Sequence, residues 1–310
     1  MKIGEIELKN SLLLAPMAGY TDIAFRYLCK KCGAGLTCTE MVSSKGLIYD
    51  SEKTKSLLYK SEAEDVSAVQ IFGSDPSVMA DVCQHELLKD FDIIDINMGC
   101  PAPKIIKNGD GSALLKDIKK AEKIISSCAK TTTKPITVKF RIGFDENHII
   151  TTDFAKMCES AGAKMITIHG RTTNQGYSGI VNLQEIKKAK QSVKIPVIAN
   201  GDVVDKSTYE NVLNVTGADG VMIGRGAMGN PFIFSELLNV KPPFSRFQAL
   251  ETHYNMLLKY YNPKLVLMNM RKHLAQYLKG GVVSMEEKRE LLLKEDINEI
   301  LDFCKQRLDD

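Results

Sequence analysis

Phe91-Asp92-Ile93-Ile94-Asp95-Ile96-Asn97-Met98-Gly99-Cys100-Pro101-Ala102-Pro103-Lys104, residues 91–104, decide the fold. An apolar run from Phe91 to Ile96 reads as a buried strand, and it stops abruptly at a Gly-Cys-Pro turn. A strand feeding such a turn presents the Cys100 thiol at its C-terminal end. Alone, a cysteine beside a turn proline is the ordinary structural thiol of a soluble enzyme. What gives this one weight is that other strands of the chain end in polar, chemically specific clusters as well.

Outward from this stretch, short β-rich runs alternate with helical patterns eight times. The strands are expected at Leu12 to Ala15, Leu36 to Thr39, Val66 to Ile71, Ile93 to Asn97, Ile136 to Phe140, Met165 to His169, Val197 to Asn200 and Gly220 to Ile223. Helical spacing is clearest over Asp22 to Lys31, Pro76 to Leu88, Asp117 to Ala129, Ile149 to Ala161 and Leu183 to Gln191, while Lys45 to Lys60 is the least regular interval. Such alternation specifies an α/β fold with a parallel sheet. Eight units over roughly 235 residues match a (β/α)8 TIM barrel, which keeps its chemistry at the C-terminal strand ends.

Those ends are loaded. Ala15-Pro16-Met17-Ala18-Gly19 follows the first strand, Gln70-Ile71-Phe72-Gly73 closes the third, and Asn97 to Cys100 close the fourth. The fifth carries Lys139-Phe140-Arg141, the sixth His169-Gly170-Arg171, the seventh Asn200-Gly201-Asp202 and the eighth Gly224-Arg225-Gly226. Glycines after strands seven and eight let backbone N–H groups approach a phosphate, with Arg225 adding positive potential. If a phosphorylated cofactor is anchored there, Gln70 can bond the edge of its heterocycle and Lys139 can stabilise negative charge on it. Pro16-Met17-Ala18 offers small, partly apolar backbone for a flat ring. FMN fits one phosphate site better than a dinucleotide does, and no strand-linked G-x-G-x-x-G stands near the N-terminus.

Composition sets the outer bounds. The 310 residues are 44% hydrophobic and 25% charged, with a formal net charge of +3, which is ordinary for a soluble globular protein. The first residues lack the apolar core of a signal peptide, and no run of about 18 uncharged apolar residues offers a membrane span, so a cytoplasmic protein is expected. The eight cysteines mostly fall inside helix or strand patterns, suiting a reducing compartment. Cys29-x-x-Cys32 with Cys38 has no second pair and no suitably spaced histidine, so no metal is expected there.

Lys241-Pro242-Pro243-Phe244-Ser245 breaks the repeat and reads as a linker, dividing a barrel of residues 1–240 from a helical domain of 241–310. Beyond it, Leu267, Met270, Leu274 and Leu278 recur at helical spacing and leave Arg271, Lys272 and Lys279 off that stripe. Residues 241–280 hold seven Lys or Arg against one acidic residue, whereas 281–310 hold five against nine. The basic stretch is a candidate RNA-backbone face.

Together these segments carry a family resemblance. Ala-Pro-Met-Ala-Gly-Tyr-Thr-Asp at 15–22, Gln70-Ile71-Phe72-Gly73, Asp95 to Pro101, Val138 to Arg141, Ile168 to Thr172, Ile198 to Asp202, Ile223 to Gly226, Met270-Arg271-Lys272-His273 and Tyr277-Leu278-Lys279-Gly280 resemble the tRNA-dihydrouridine synthases in order and spacing, over nearly the whole chain. The resemblance implies a flavin barrel followed by a small helical domain, reducing uridines of tRNA at the expense of NADPH. It implies that Pro16, Met17, Ala18, Gln70, Lys139 and His169 contact FMN, with the phosphate at Asn200, Gly201, Asp202, Gly224 and Arg225. Cys100 becomes the general acid, protonating uracil C5 while hydride reaches C6 from the opposite face; this requires a protonated thiol. Asn97 touches the extruded uracil, and Arg141 and Arg171 neighbour its nucleotide. One departure is visible: where the family often continues His-Gly-Arg-Thr with another Arg, Thr173 stands here, removing one possible phosphate contact.

Two other readings compete. A small-molecule FMN oxidoreductase of the dihydroorotate dehydrogenase kind has no need of a basic tail, and a non-catalytic tRNA-binding protein has no need of a hydride-and-proton constellation.

Overall fold

The computed structural model describes residues 1–281 and 283–308. Eight strands form one parallel sheet: β1 (Leu12–Leu14), β2 (Thr37–Ser43), β3 (Ser67–Phe72), β4 (Ile93–Met98), β5 (Ile136–Arg141), β6 (Met165–His169), β7 (Val197–Asn200) and β8 (Gly220–Ile223). Each pairs with its neighbour in sequence, and β8 returns to β1 with Val221 opposite Leu12. Closure between β1 and β2 rests on a single parallel bridge, Leu13 to Leu36, flanked by bonds from Leu14 N to Leu36 O (2.9 Å) and Gly35 N to Leu12 O (2.8 Å). This is the closed barrel expected from the repeat.

Strand alternation divides the core in two. Leu12 and Leu14 point outward into the layer between strands and helices, and Leu13 points inward. The inward set, which includes Cys38, Ala68, Ile93, Met165, Ile198 and Met222, fills the barrel together with Ile3 and Leu8 of the amino-terminal segment. There a short antiparallel ribbon, Lys2–Ile3 with Ile6–Glu7, covers the bottom.

Helices α1 (Ile23–Lys31), α2 (Ser44–Ile48), α3 (Pro76–Val82), α4 (Ile118–Thr131), α5 (Thr151–Ser160), α6 (Leu183–Ser192), α7 (Lys206–Thr216) and α8 (Ile233–Leu237) surround the strands. Several starts carry the acidic caps that satisfy orphan N–H groups, as with Asp22, Asp75, Asp117 and Asp205. Two expectations shift. The helix expected to run from Pro76 to Leu88 ends at Val82, because His85 turns extended and its ring nitrogen accepts from Leu87 N at 3.2 Å, starting a separate 3-10 turn at Glu86–Leu88. β2 runs on to Ser43 through a register shift between Cys38 and Met41, which breaks the alternation that would have revealed it.

After β8, helices α9 (Arg246–Leu257), α10 (Pro263–Tyr277), α11 (Met285–Leu293) and α12 (Ile297–Leu308) build a second cluster. Their apolar faces enclose Tyr254, Met270, Leu274, Leu291 and Ile300, and they pack against Ile23, Ala24 and Leu28 on α1. The helical layer is therefore seated on the first helix of the barrel. Among the described residues no helix is long and apolar enough to cross a membrane.

Candidate active site

A cavity of about 790 Å³ opens at the C-terminal ends of the strands, within the range of ligand pockets. Its wall includes Pro16, Met17, Ala18, Gln70, Asn97, Cys100, Lys139, Arg141, His169, Asn200, Gly201, Asp202, Gly224 and Arg225, so one concavity gathers nearly every barrel residue singled out in the sequence. Arg171 is the exception and is absent from the wall.

Below the cavity floor a buried polar chain fixes Gln70. Its Nε2 donates to Asp95 Oδ2 (2.7 Å) and its Oε1 accepts from Asn97 Nδ2 (2.7 Å), while Thr137 Oγ1 donates to Asp95 Oδ1 (2.5 Å). Asp95 and Asn97, two residues apart on β4, share the inward face. The other end of Asn97 serves the cysteine turn: its Oδ1 accepts from Gly99 N (3.1 Å) and Cys100 N (2.9 Å). Asn97 is thus a strut between Gln70 and Cys100, a role hidden in the sequence because Gln70 lies 27 positions away.

Cys100 is seated from three sides. Ser112 holds its carbonyl with both N–H (3.1 Å) and Oγ (2.8 Å). Gly111, at φ +59°, leaves the space a side chain would take from it, since an added Cβ would stand 3.0 Å from the Cys100 carbonyl oxygen. Arg141, itself buried, donates from Nε to Gly99 O (2.8 Å) and from Nη1 to Thr172 O (2.9 Å) and Gly176 O (2.7 Å). Burial raises the Cys100 thiol above its ordinary range despite the nearby Ala102 amide, Arg141 and Lys139, so the group stays protonated at neutral pH.

On the neighbouring strand β5, Lys139 Nζ donates to Asn200 Oδ1 (2.9 Å), whose Nδ2 donates to Met222 O (2.8 Å). Burial, reinforced by Arg141, lowers Lys139 to about 8. Burial and the surrounding cations, Lys139 and Arg141 foremost, hold His169 well below its usual range, leaving it neutral. Gly201 has φ +134° and Asp202 φ +52°. The Asp202 carboxylate is bracketed by Arg171 (2.9 and 2.5 Å) and by Arg225 (2.7 Å). Arg171 also donates to the carbonyls of Ser178 (2.9 Å) and Gly179 (2.6 Å), which makes it a scaffold for the loop after β6. Two guanidiniums against one carboxylate leave this corner net positive.

Tyr177 carried no signal in the sequence. It is 60% exposed at the cavity mouth, with Arg141 and Arg225 5.5 and 5.3 Å from its ring centre. From the helical layer, Lys279 reaches the cavity wall, and Lys272 lies over the ring of Tyr20 at 5.7 Å. Arg271, one position along α10, is exposed and outside that wall. A second constellation, Asp22 with His253 and His273, gathers at the junction of barrel and helices, with donor atoms within 4.8 Å of one another. Its members are up to 251 positions apart, and no spacing rule finds them.

Residues 13–309 match the family model described as dihydrouridine synthase. The chain is 39% identical over 291 residues to a probable tRNA-dihydrouridine synthase of Rickettsia conorii (strain ATCC VR-613 / Malish 7), covering 90% of this chain and 88% of that protein. It is 38% identical over 311 residues to tRNA-dihydrouridine synthase B of Escherichia coli (strain K12), with 97% of each chain covered. Among solved structures, a morphinone reductase variant in complex with tetrahydroNAD superposes with a TM-score of 0.57 at 13% identity, over 77% of this chain and 89% of that one. A histamine dehydrogenase from Rhizobium sp. 4-9 gives 0.61 at 14% identity, over 83% and 50%. At such identities the likeness bears on the barrel alone.

Proposed function

The chain belongs to the dihydrouridine synthase family, and from that premise we propose that it reduces the C5=C6 bond of specific uridines in tRNA, using FMN that is itself reduced by NADPH. The observation that carries this reading is the protonated Cys100 thiol lining the same cavity as a cradle suited to a flavin phosphate and ring. The fit to FMN is tested by the cradle itself. Gly201 and Gly224 have no side chain to fill it, Arg225 and Lys139 bring positive charge, and Pro16, Met17, Ala18, Gln70 and His169 supply the remaining wall. When bound, the flavin supplies hydride to uracil C6.

The protein's own groups do the rest. Cys100 delivers the proton to C5, and it is held neutral for that purpose by burial. Gln70, immobilised by Asp95 and Asn97, retains a second amide N–H for a ring edge. Lys139 is cationic below about pH 8 and so favours a negative ring. Arg141 ties the Cys100 turn to the loop bearing Tyr177, which orients both toward one ligand. Residues 1–240 act as the catalytic domain and 241–310 as the tRNA-binding domain, with Lys279 and Lys272 nearest the cavity. The eight free cysteines fit a reducing compartment, and cytoplasm is the one proposed.

Position-resolved dihydrouridine mapping of tRNA, from cells with and without this protein, tests the reading. Loss of dihydrouridine at defined positions supports it. An unchanged map, with tRNA inert as an oxidant of the reduced flavin, refutes it.

A further inference from the structure

Asp22 at the N-cap of α1, His253 of α9 and His273 of α10 meet where the helical layer sits on the barrel. Asp22 caps α1 by accepting from Phe25 N at 2.9 Å. Its two oxygens lie 3.2 and 3.4 Å from His253 Nε2, and Oδ2 lies 3.1 Å from His273 Nε2. Both imidazoles are fully buried, their centroids 4.4 Å apart, and Tyr277 Oη stands 3.4 Å from His253 Nδ1. None of the three lines the cavity.

We infer that this trio is a positioning cluster, locking α10 to the loop after β1 and so fixing how tRNA meets the active site; the inference rests on the function proposed above. One carboxylate between two imidazoles is a costly way to fill an apolar junction, where aliphatic packing would serve cohesion alone. His273 sharpens the point: its approach to Asp22 is close but poorly aligned for hydrogen bonding, and neither ring nitrogen finds a hydrogen-bond partner among the described residues. The geometry is kept at a local cost.

Both ends of the cluster lead to functional parts. Thr21, next to Asp22, accepts through Oγ1 from Met17 N at 3.0 Å, so the carboxylate is tied to the Pro16-Met17-Ala18 wall. Lys272, next to His273, points at the same loop: its Nζ would stand 3.0 Å from a Cβ on Gly19. Tyr20 meets the His273 ring edge-on at 5.1 Å, and Glu40 accepts from Gly19 N. A shift of α10 against Asp22 therefore moves Lys272 against the flavin wall. The titratable groups facing the cluster are Tyr277, Tyr20, Tyr261, Cys29, Arg26, Glu40 and Lys272. Burial is outweighed at Asp22 by His253 and then His273, which keep it ionised, whereas burial and His253 lower His273 to about 4. At neutral pH His273 therefore meets Asp22 as an uncharged ring.

Three variants of the full-length flavin-loaded protein test this. Asp22→Asn keeps a helix cap and removes the charge; His273→Ala removes one arm, and His273→Gln restores a polar side chain beside Asp22. The expected result is a rise of at least about fivefold in KM and Kd for tRNA in Asp22→Asn and His273→Ala, the low end of couplings between sites. Flavin content and the rate of flavin reduction by NADPH should stay within about twofold, and His273→Gln should recover part of the loss. Unchanged tRNA Kd in both Asp22→Asn and His273→Ala overturns the inference, as does a parallel fall in flavin reduction, which marks a merely structural role. One tightly held equivalent of zinc also overturns it, because the cluster would then be a metal centre. Direct tRNA-binding measurements keep this outcome separate from that of the proposed reaction, since they do not require turnover.

Discussion

Replacing the Cys100 thiol by hydrogen separates the two halves of the proposed reaction. Cys100→Ala leaves Gln70, Lys139 and the glycine cradle in place, so NADPH should bleach the flavin at a near-normal rate. Reoxidation by tRNA should slow by roughly 10² to 10⁴, the range for a lost general acid, and Cys100→Ser should recover little because a hydroxyl is the poorer acid. Anaerobic stopped-flow reoxidation reads this step, and a wild-type rate in Cys100→Ala would falsify the role. Lys139 adds a pH signature. In the flavin-free protein it loses its proton near 8, and a bound anion raises that value. FMN affinity should be flat below pH 8 and weaken by up to about tenfold per pH unit above it, until the bound-state value is reached. Titrating stripped protein with FMN checks this, and Lys139→Met should abolish the slope.

At the scale of elements, the strand ends were legible because each β/α unit is local: a run, a turn and a helix follow one another within about 30 residues. The glycines after the seventh and eighth strands pointed to a phosphate turn only in the context of a barrel, and the resemblance added Asn200 and Asp202 to it. What the types did not reveal is the division of labour inside it. Asp202 turns its carboxylate to Arg171 and Arg225, so it aims Arg225 instead of facing a phosphate directly. Nor could Arg171 be told from Arg141, since both end a strand motif and only the packed loop after β6 separates scaffold from wall. Gly201 gives the sharpest test of this turn. An added Cβ would stand 2.7 Å from Val181 Cγ2, at φ +134°. Gly201→Ala should cost about 1–3 kcal/mol in stability and strip most flavin on gel filtration. Full flavin retention at wild-type Tm would remove Gly201 from the cradle.

At the scale of the whole molecule, charge counting located the basic stretch but not its direction. Lys272 and Lys279 are turned to the barrel mouth, and Arg271 is not among the residues at the cavity. The paired change Lys272→Ala with Lys279→Ala should therefore weaken tRNA binding and lower its salt slope by about 1.4 to 1.8, at 0.7 to 0.9 per lost phosphate contact, with Arg271→Ala contributing least. Equal effects from all three would place Arg271 on the RNA face as well. Contacts between α1, α9 and α10 escaped the sequence for a related reason: helical periodicity reports which face of a helix is buried, not which distant helix buries it. The closure of the barrel has a dynamic corollary. β1 and β2 are joined by one bridge, whereas β4 and β5 are matched at five positions, so transient opening should start at that seam. Native-state hydrogen exchange should find the amides of Leu14 and Gly35 less protected than those of Ile96 and Val138. Because Pro16, Met17 and Ala18 follow β1 directly, FMN should slow exchange at the seam first, making a loss of amide protection there an early reporter of a flavin-depleted preparation.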